Sequence, residues 1–96
     1  MEIKVLKLVT GEEIISQIEK KDQKIVLKSP QKFMFTQEGV ASIPLIPFSS
    51  SETYEIDEKH VVFICDPDMD VRNIYNSKYG SGVILPSSDQ KIIKTS

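Results

Sequence analysis

The chain has no tryptophan and only one cysteine, one histidine, one arginine and four glycines among its 96 residues, and each shortage narrows what it can be. With Cys65 alone, no intrachain disulfide can form, so the fold must hold without one, and a reducing cytoplasm suits it best. A single histidine and a single cysteine supply no Cys/His cluster for a transition metal, so neither a metal nor any other cofactor is expected. The same shortage makes nucleophilic catalysis hard to stage. His60 is the one imidazole, Cys65 sits inside a strand-like run, and no serine occupies a sharp strand-to-helix turn, so an enzyme is not expected. No apolar run approaches the roughly 18 residues that span a bilayer. The opening Met1-Glu2-Ile3-Lys4 lacks the basic-then-apolar order of a signal peptide, so export and insertion are not expected either. A basic excess is also missing: 12 basic residues face 14 acidic ones, for a net charge of −2. Coating nucleic acid by bulk attraction is thereby disfavoured, and any such binding must be local.

What is present is a composition for one soluble globule, with 40% apolar and 27% charged residues. A second core would leave each half near the lower size limit of a stable domain, so a single domain over 1–86 is expected, with 87–96 as a fraying tail. The charge is unevenly spread. Residues 1–35 carry seven lysines against five acids, residues 36–71 one lysine against eight acids, and residues 72–96 four basic residues against one acid. A compact fold then has one strongly negative region and milder positive ones.

The first half alternates with period two, the mark of half-buried strands. Ile3, Val5 and Val9 fall on one face of the first segment and Leu6 and Leu8 on the other, before the turn Thr10-Gly11-Glu12. Ile14 and Ile18 share a face with Ser16 between them, although Ile15 breaks the polar side. Lys20-Lys21-Asp22-Gln23 makes a second turn, Ile25 and Leu27 continue the apolar face, and Ser29-Pro30 bends the third strand ahead of Phe33 and Phe35. Gln37-Glu38-Gly39 reads as a further hairpin turn. Pro44 and Pro47 then confine Ala41–Phe48 to an edge or a bend, Ser49–Ser51 kinks, and Thr53–Asp57 resumes the alternation. After Asp57-Glu58-Lys59 comes a last strand, Val61–Cys65, whose thiol is expected to be buried and structural. The expected body is mainly β: a small, five-stranded, strongly bent antiparallel sheet closed into a barrel.

Asp66-Pro67 reads as a helix start, with Asp66 as N-cap and Pro67 at the first helical position. Val71, Ile74, Tyr75 and Lys78 have helical spacing and Gly80 is a stop, giving one C-terminal helix over about 67–79 and none before the first strand. Val83-Ile84-Leu85 can dock behind it as a short extended piece. The carboxylates of Asp66, Asp68 and Asp70 mimic the opening of a calcium loop. That loop needs Gly at its sixth position and Glu at its twelfth, where Val71 and Ser77 stand, so they are read as helix-capping residues. Gly80-Ser81-Gly82 lacks the strand-then-helix setting of a dinucleotide loop.

Polar groups gather at two turns. Asp22-Gln23-Lys24 lies between the second and third strands and Lys59-His60 between the fourth and fifth. In a small barrel these loops can share one end, where a Gln amide, a Lys ammonium and an imidazole can bond base edges and neutralise phosphate. The plainer alternative is that Lys59 is solvated and His60 merely caps the turn.

The run Leu8–Leu27 resembles the first Sm motif of Sm/LSm proteins and the RNA chaperone Hfq, through Gly11, Ile14, Ile18, Asp22, Ile25 and Leu27. Lys59-His60-Val61-Val62 resembles the Lys-His element of the second motif in Hfq. With Gly80–Ser88 added, the whole chain is similar to small Sm-like proteins of marine cyanobacterial phages. It departs from the pattern at Ser16, where a Gly usually lets the second strand bend, and at Lys24, where Hfq carries an aromatic residue. The resemblance implies a homo-oligomeric ring of about five to seven subunits, a symmetric closed assembly of copies. In that ring the fourth strand of one copy (Tyr54, Ile56) pairs with the fifth of the next (Val61, Val62, Phe63, Ile64). It further implies an RNA chaperone or regulator in the cytoplasm, the host's if phage-encoded, that binds short U- or A-rich single-stranded RNA near the pore. Asp22, Gln23 and Lys24 would form the first RNA loop, and Lys59 and His60 the second. The alternative is a structural or adaptor ring that meets a protein partner through its acidic middle segment or its apolar hairpin, without RNA.

Overall fold

The computed structural model describes residues 1–37 and 39–79. The expected helix stop at Gly80, the piece Val83–Leu85, the domain end at 86, the tail 87–96 and the middle of the Gln37–Gly39 turn lie outside the described residues. Six antiparallel strands and one helix follow in the order β1 (Glu2–Leu8), β2 (Glu13–Lys21), β3 (Lys24–Thr36), β4 (Gly39–Pro44), β5 (Thr53–Asp57), a 3-10 turn (Glu58–His60), β6 (Val61–Cys65) and α1 (Met69–Tyr79). The sheet runs β4-β3-β2-β1-β6, with β5 also paired to β3. Among the described residues, no helix is long and apolar enough to cross a membrane.

The turns form where the sequence supplies residues that accept a positive φ. Gly11 (φ 95°) reverses β1 into β2, with the Gly11 N–H on the Leu8 carbonyl and the Leu8 N–H on the Glu12 carbonyl. Asp22 (φ 55°) closes the tight β2–β3 turn, since a short polar side chain tolerates the left-handed region. Inward-facing residues of these strands make the core: Leu6, Ile14, Ile18, Ile25 and Leu27, with Leu8, Leu45, Tyr54, Ile56 and Val61 packed against it. Each buried Leu or Ile side chain contributes about 1.5–3 kcal/mol, so this cluster, with few buried aromatics, is the main source of stability.

The bend in β3 organises the rest. Between the pairs Ile15↔Gln31 and Gln17↔Lys28, β2 has one residue, Ser16, and β3 has two, Ser29 and Pro30. This is a β-bulge with the extra residue on β3, where Ser29 takes φ 53°. The strand changes direction and partner there: Lys24–Lys28 pairs with β5, and Gln31–Thr36 with β4. The region from Ala41 to Asp57, expected as one fourth strand, is therefore two strands lying on the two arms of a bent β3. The break falls at the bend, where the Ser29 N–H donates to the Glu52 carbonyl (2.7 Å) and the Leu45 N–H to the Pro30 carbonyl (2.9 Å). Six strands replace the expected five. Among the described residues the sheet does not close, because there β6 pairs only with β1, and β5 only with β3.

A bulge takes backbone groups out of the ladder, and α1 supplies their partners. The Tyr75 hydroxyl accepts from the Gln17 N–H (3.2 Å) and lies 2.9 Å from the carbonyls of both Lys28 and Ser29, to which it donates. The Ser16 hydroxyl reaches the Lys28 carbonyl at 3.0 Å, and the Gln17 side-chain amide donates to the Tyr79 carbonyl at 3.1 Å. Ile15, which broke the polar face of β2, is buried beside the helix, whose own buried residues are Asp70, Asn73, Ile74 and Tyr75.

Two expectations at the helix start and the last strand are corrected. The helix begins at Met69, and Asp68 caps it: its carboxylate accepts the Asp70 N–H (3.1 Å) and its carbonyl the Arg72 N–H. Asp66 instead accepts from the Lys4 ammonium at 2.5 Å, tying β1 to the segment after β6. That partner holds the Asp66 carboxyl below the usual carboxylate range and the Lys4 ammonium above its ordinary value. Cys65 is exposed rather than buried, because it ends β6 at the sheet's edge, where Val62–Cys65 are left exposed among the described residues.

Candidate nucleic-acid interface

Pairing of β3 with β5 brings the two polar turns together. Lys24, first in β3, stands opposite Asp57, last in β5, so the Asp22-Gln23 turn and the 3-10 turn leave the sheet side by side. The Glu58 N–H donates to the Gln23 carbonyl at 2.9 Å and joins them directly. The Val9 N–H donates to the His60 carbonyl, also at 2.9 Å, which attaches the β1–β2 turn to the same end. Asp22, Gln23, Lys24, Lys59 and His60, far apart in sequence, thus share one end of the sheet with all five side chains exposed.

The local charges are interleaved. The Lys24 ammonium lies 3.9 Å from the Asp57 carboxylate and the Lys20 ammonium 3.8 Å from that of Glu58. Asp57 also caps the 3-10 turn, accepting the Lys59 N–H at 3.1 Å. This backbone bond, with the charges of Lys59, Lys24 and His60, holds its carboxyl below the usual range. Across the two turns and their flanks, Lys20, Lys21, Lys24 and Lys59 face Asp22, Asp57 and Glu58. The side chain of Lys59 enters no ion pair within 4 Å among the described residues. Such a surface offers phosphate a modest positive excess, together with an exposed amide and an imidazole that can read base edges.

Beside the turns, an open gap of about 510 Å³ runs along the free side of β6, walled by Ile25, Val61, Val62, Phe63 and Ile64, with Lys20, Glu58 and Lys59 at its rim. Lys20 and Glu58 were not among the sequence candidates. The Lys20-Lys21 run was visible as charge, but only the cross-strand pairing aims Lys20 at this gap. The residues expected at a ring interface divide into two sets. Tyr54, Ile56 and Val61 pack partly buried against their own core, while Val62, Phe63 and Ile64 are exposed at 51%, 66% and 38%. The chain matches no protein-family model and no curated protein.

Proposed function

We propose that the chain is an Sm-like subunit that closes with further copies into a homo-oligomeric ring and binds short single-stranded RNA, U- or A-rich, as an RNA chaperone or regulator. Gln23, Lys24, Lys59 and His60 make the contacts, with Asp22 shaping its turn. The observation that carries the reading is the joining of two remote polar turns by the Glu58 N–H···O=C Gln23 bond at one end of a bent sheet. Strand edges at β6 and at β4/β5 that no described strand pairs support the ring, since exposed apolar edges otherwise invite uncontrolled association. Repetition of one lysine-bearing site around a ring raises affinity without raising the charge of the single chain.

A titration with U-rich and A-rich oligonucleotides tests this. Lys24→Ala with Lys59→Ala is expected to weaken binding at least about tenfold and to flatten its dependence on salt, because each lost phosphate contact removes counterion release. Unchanged affinity in the double variant sinks the site assignment.

A second reading is a structural or adaptor ring that meets a protein partner. The observation favouring it is that Lys24 and Lys20 are already paired with Asp57 and Glu58, while Phe35 on the long hairpin is 88% exposed. Absence of RNA binding at low salt, with a protein retained on the immobilised ring and released by Phe35→Ser, would select it.

A further inference from the structure

We propose that the segment Lys91-Ile92-Ile93-Lys94 of this chain folds back into an apolar groove at the start of α1. The contact requires neither the ring nor RNA. The groove holds about 500 Å³. The cross-strand pair Val5 and Ile15 forms its floor, with Val71 on the α1 side and Phe33 and Phe35 on the β3 side. Phe35 is 88% exposed among the described residues, so this apolar surface is uncovered there. The lining also contains three carboxylates, Glu13, Asp66 and Asp68, and no described cation. Lys4 pairs with Asp66, but Glu13 and Asp68 enter no ion pair within 4 Å among the described residues. The fitting occupant is therefore apolar in its middle and cationic at its ends.

One segment beyond α1 has that chemistry. Within residues 80–96 the only cations are Lys91 and Lys94, and they bracket Ile92 and Ile93. The other apolar run there, Val83-Ile84-Leu85, stands between Gly82 and Pro86 and offers the carboxylates no partner. Charge also separates this groove from the apolar gap beside β6, whose rim sets Lys20 and Lys59 against the single carboxylate of Glu58 and so repels two further lysines. Successive side chains of an extended segment point opposite ways, which suits a groove with apolar walls on two sides. Pockets of about 300–1,000 Å³ take whole small molecules, so two isoleucine side chains fit. Reach is ample: α1, with 11 residues, is about 16 Å long, whereas residues 80–90 span up to about 36 Å. A tether this short holds the segment at high local concentration beside its own groove, which favours it over the same segment of a second copy.

Cys65 lines the groove and is a free, exposed thiol, so it can report the contact. With a second cysteine at Thr95→Cys, the disulfide equilibrium in a glutathione buffer measures the local concentration of one thiol at the other. Adding Ile92→Ser with Ile93→Ser is expected to lower that concentration at least about tenfold, although the tether is unchanged. Glu13→Lys, at an exposed position opposite the segment, should lower it as well while keeping the wild-type circular dichroism. In the E13K chain, Lys91→Glu with Lys94→Glu should recover part of the loss, because the charges are then exchanged rather than matched in sign. An equal local concentration in the T95C chain and all these variants overturns the docking. A loss confined to I92S/I93S overturns the assignment to this groove, since the carboxylates then take no part. Disulfides that run between chains, seen as dimers on a non-reducing gel, overturn the intrachain contact in favour of the second copy's segment.

Discussion

Tyr75 shows how one side chain can settle several backbone obligations. The bulge at Ser16 and Ser29 leaves the Gln17 N–H and the carbonyls of Lys28 and Ser29 facing a single fully buried hydroxyl. Buried polar groups without partners are costly, so Tyr75→Phe should destabilise the fold by about 1–3 kcal/mol, read from a denaturant melt. Burial also raises the Tyr75 phenol above its ordinary value of 10.0, outweighing the lowering effect of its Gln17 hydrogen bond. The sign follows directly: the stabilisation from the neutral phenol is complete below the ordinary tyrosine value and is lost as pH rises through the higher folded value. A stability series from about pH 8 to about pH 11 should therefore show an alkaline decline in the wild type that Y75F lacks. The residue itself was visible in the sequence as part of a helical apolar stripe. Its hydrogen-bonding role was not, because the partners lie 46 to 58 positions away and are exposed to it only by a bulge.

Among the elements, β3 decides most. Its 13 residues carry two other strands because Ser29 accepts a left-handed conformation ahead of Pro30. Left-handed backbone costs a non-glycine residue about 1–2 kcal/mol, partly offset by the unfolded-chain entropy a glycine adds. Ser29→Gly should accordingly leave stability unchanged or raise it by up to about 1 kcal/mol, while Ser29→Val should lower it by about 1–3 kcal/mol, both read as shifts in thermal midpoint. An increase in stability with S29V would mean that the bend does not need this conformation. Alternation in the sequence located β1, β2 and β3, and Ser29-Pro30 marked the bend. The division of the next segment into β4 and β5 was legible only as the prolines and serines of 44–51, since the break exists to let both arms of β3 keep partners. At α1, Asp66 and Asp68 are equivalent as local capping signals. Asp68 takes the role because Asp66 is drawn to Lys4, 62 residues away in sequence.

At the scale of the whole molecule, the sheet formed by the described residues ends in two edges that none of them pairs, and β6 presents Val62, Phe63 and Ile64 to its surroundings. If copies cover those edges, folding and association are linked by mass action. The thermal midpoint should then rise with protein concentration, while an unchanged midpoint over a hundredfold range, about 2.7 kcal/mol of mass action, would count against assembly. The sequence by itself determined the mainly antiparallel β character, the positions of the tight turns at Gly11 and Asp22, the bend and the helix that follows the last strand. These rest on local physics: side-chain alternation, tolerance of positive φ, the ring of proline and helical spacing. Only the tertiary structure decided that the sheet of the described residues stays open, that Cys65 is exposed, and that Lys20 and Glu58 belong beside the candidate site. Each of these depends on which strands become neighbours. Register between segments tens of residues apart is set by the packing of the Leu6, Ile14, Ile18, Ile25 and Leu27 core as a whole, and no local signal in the chain encodes it.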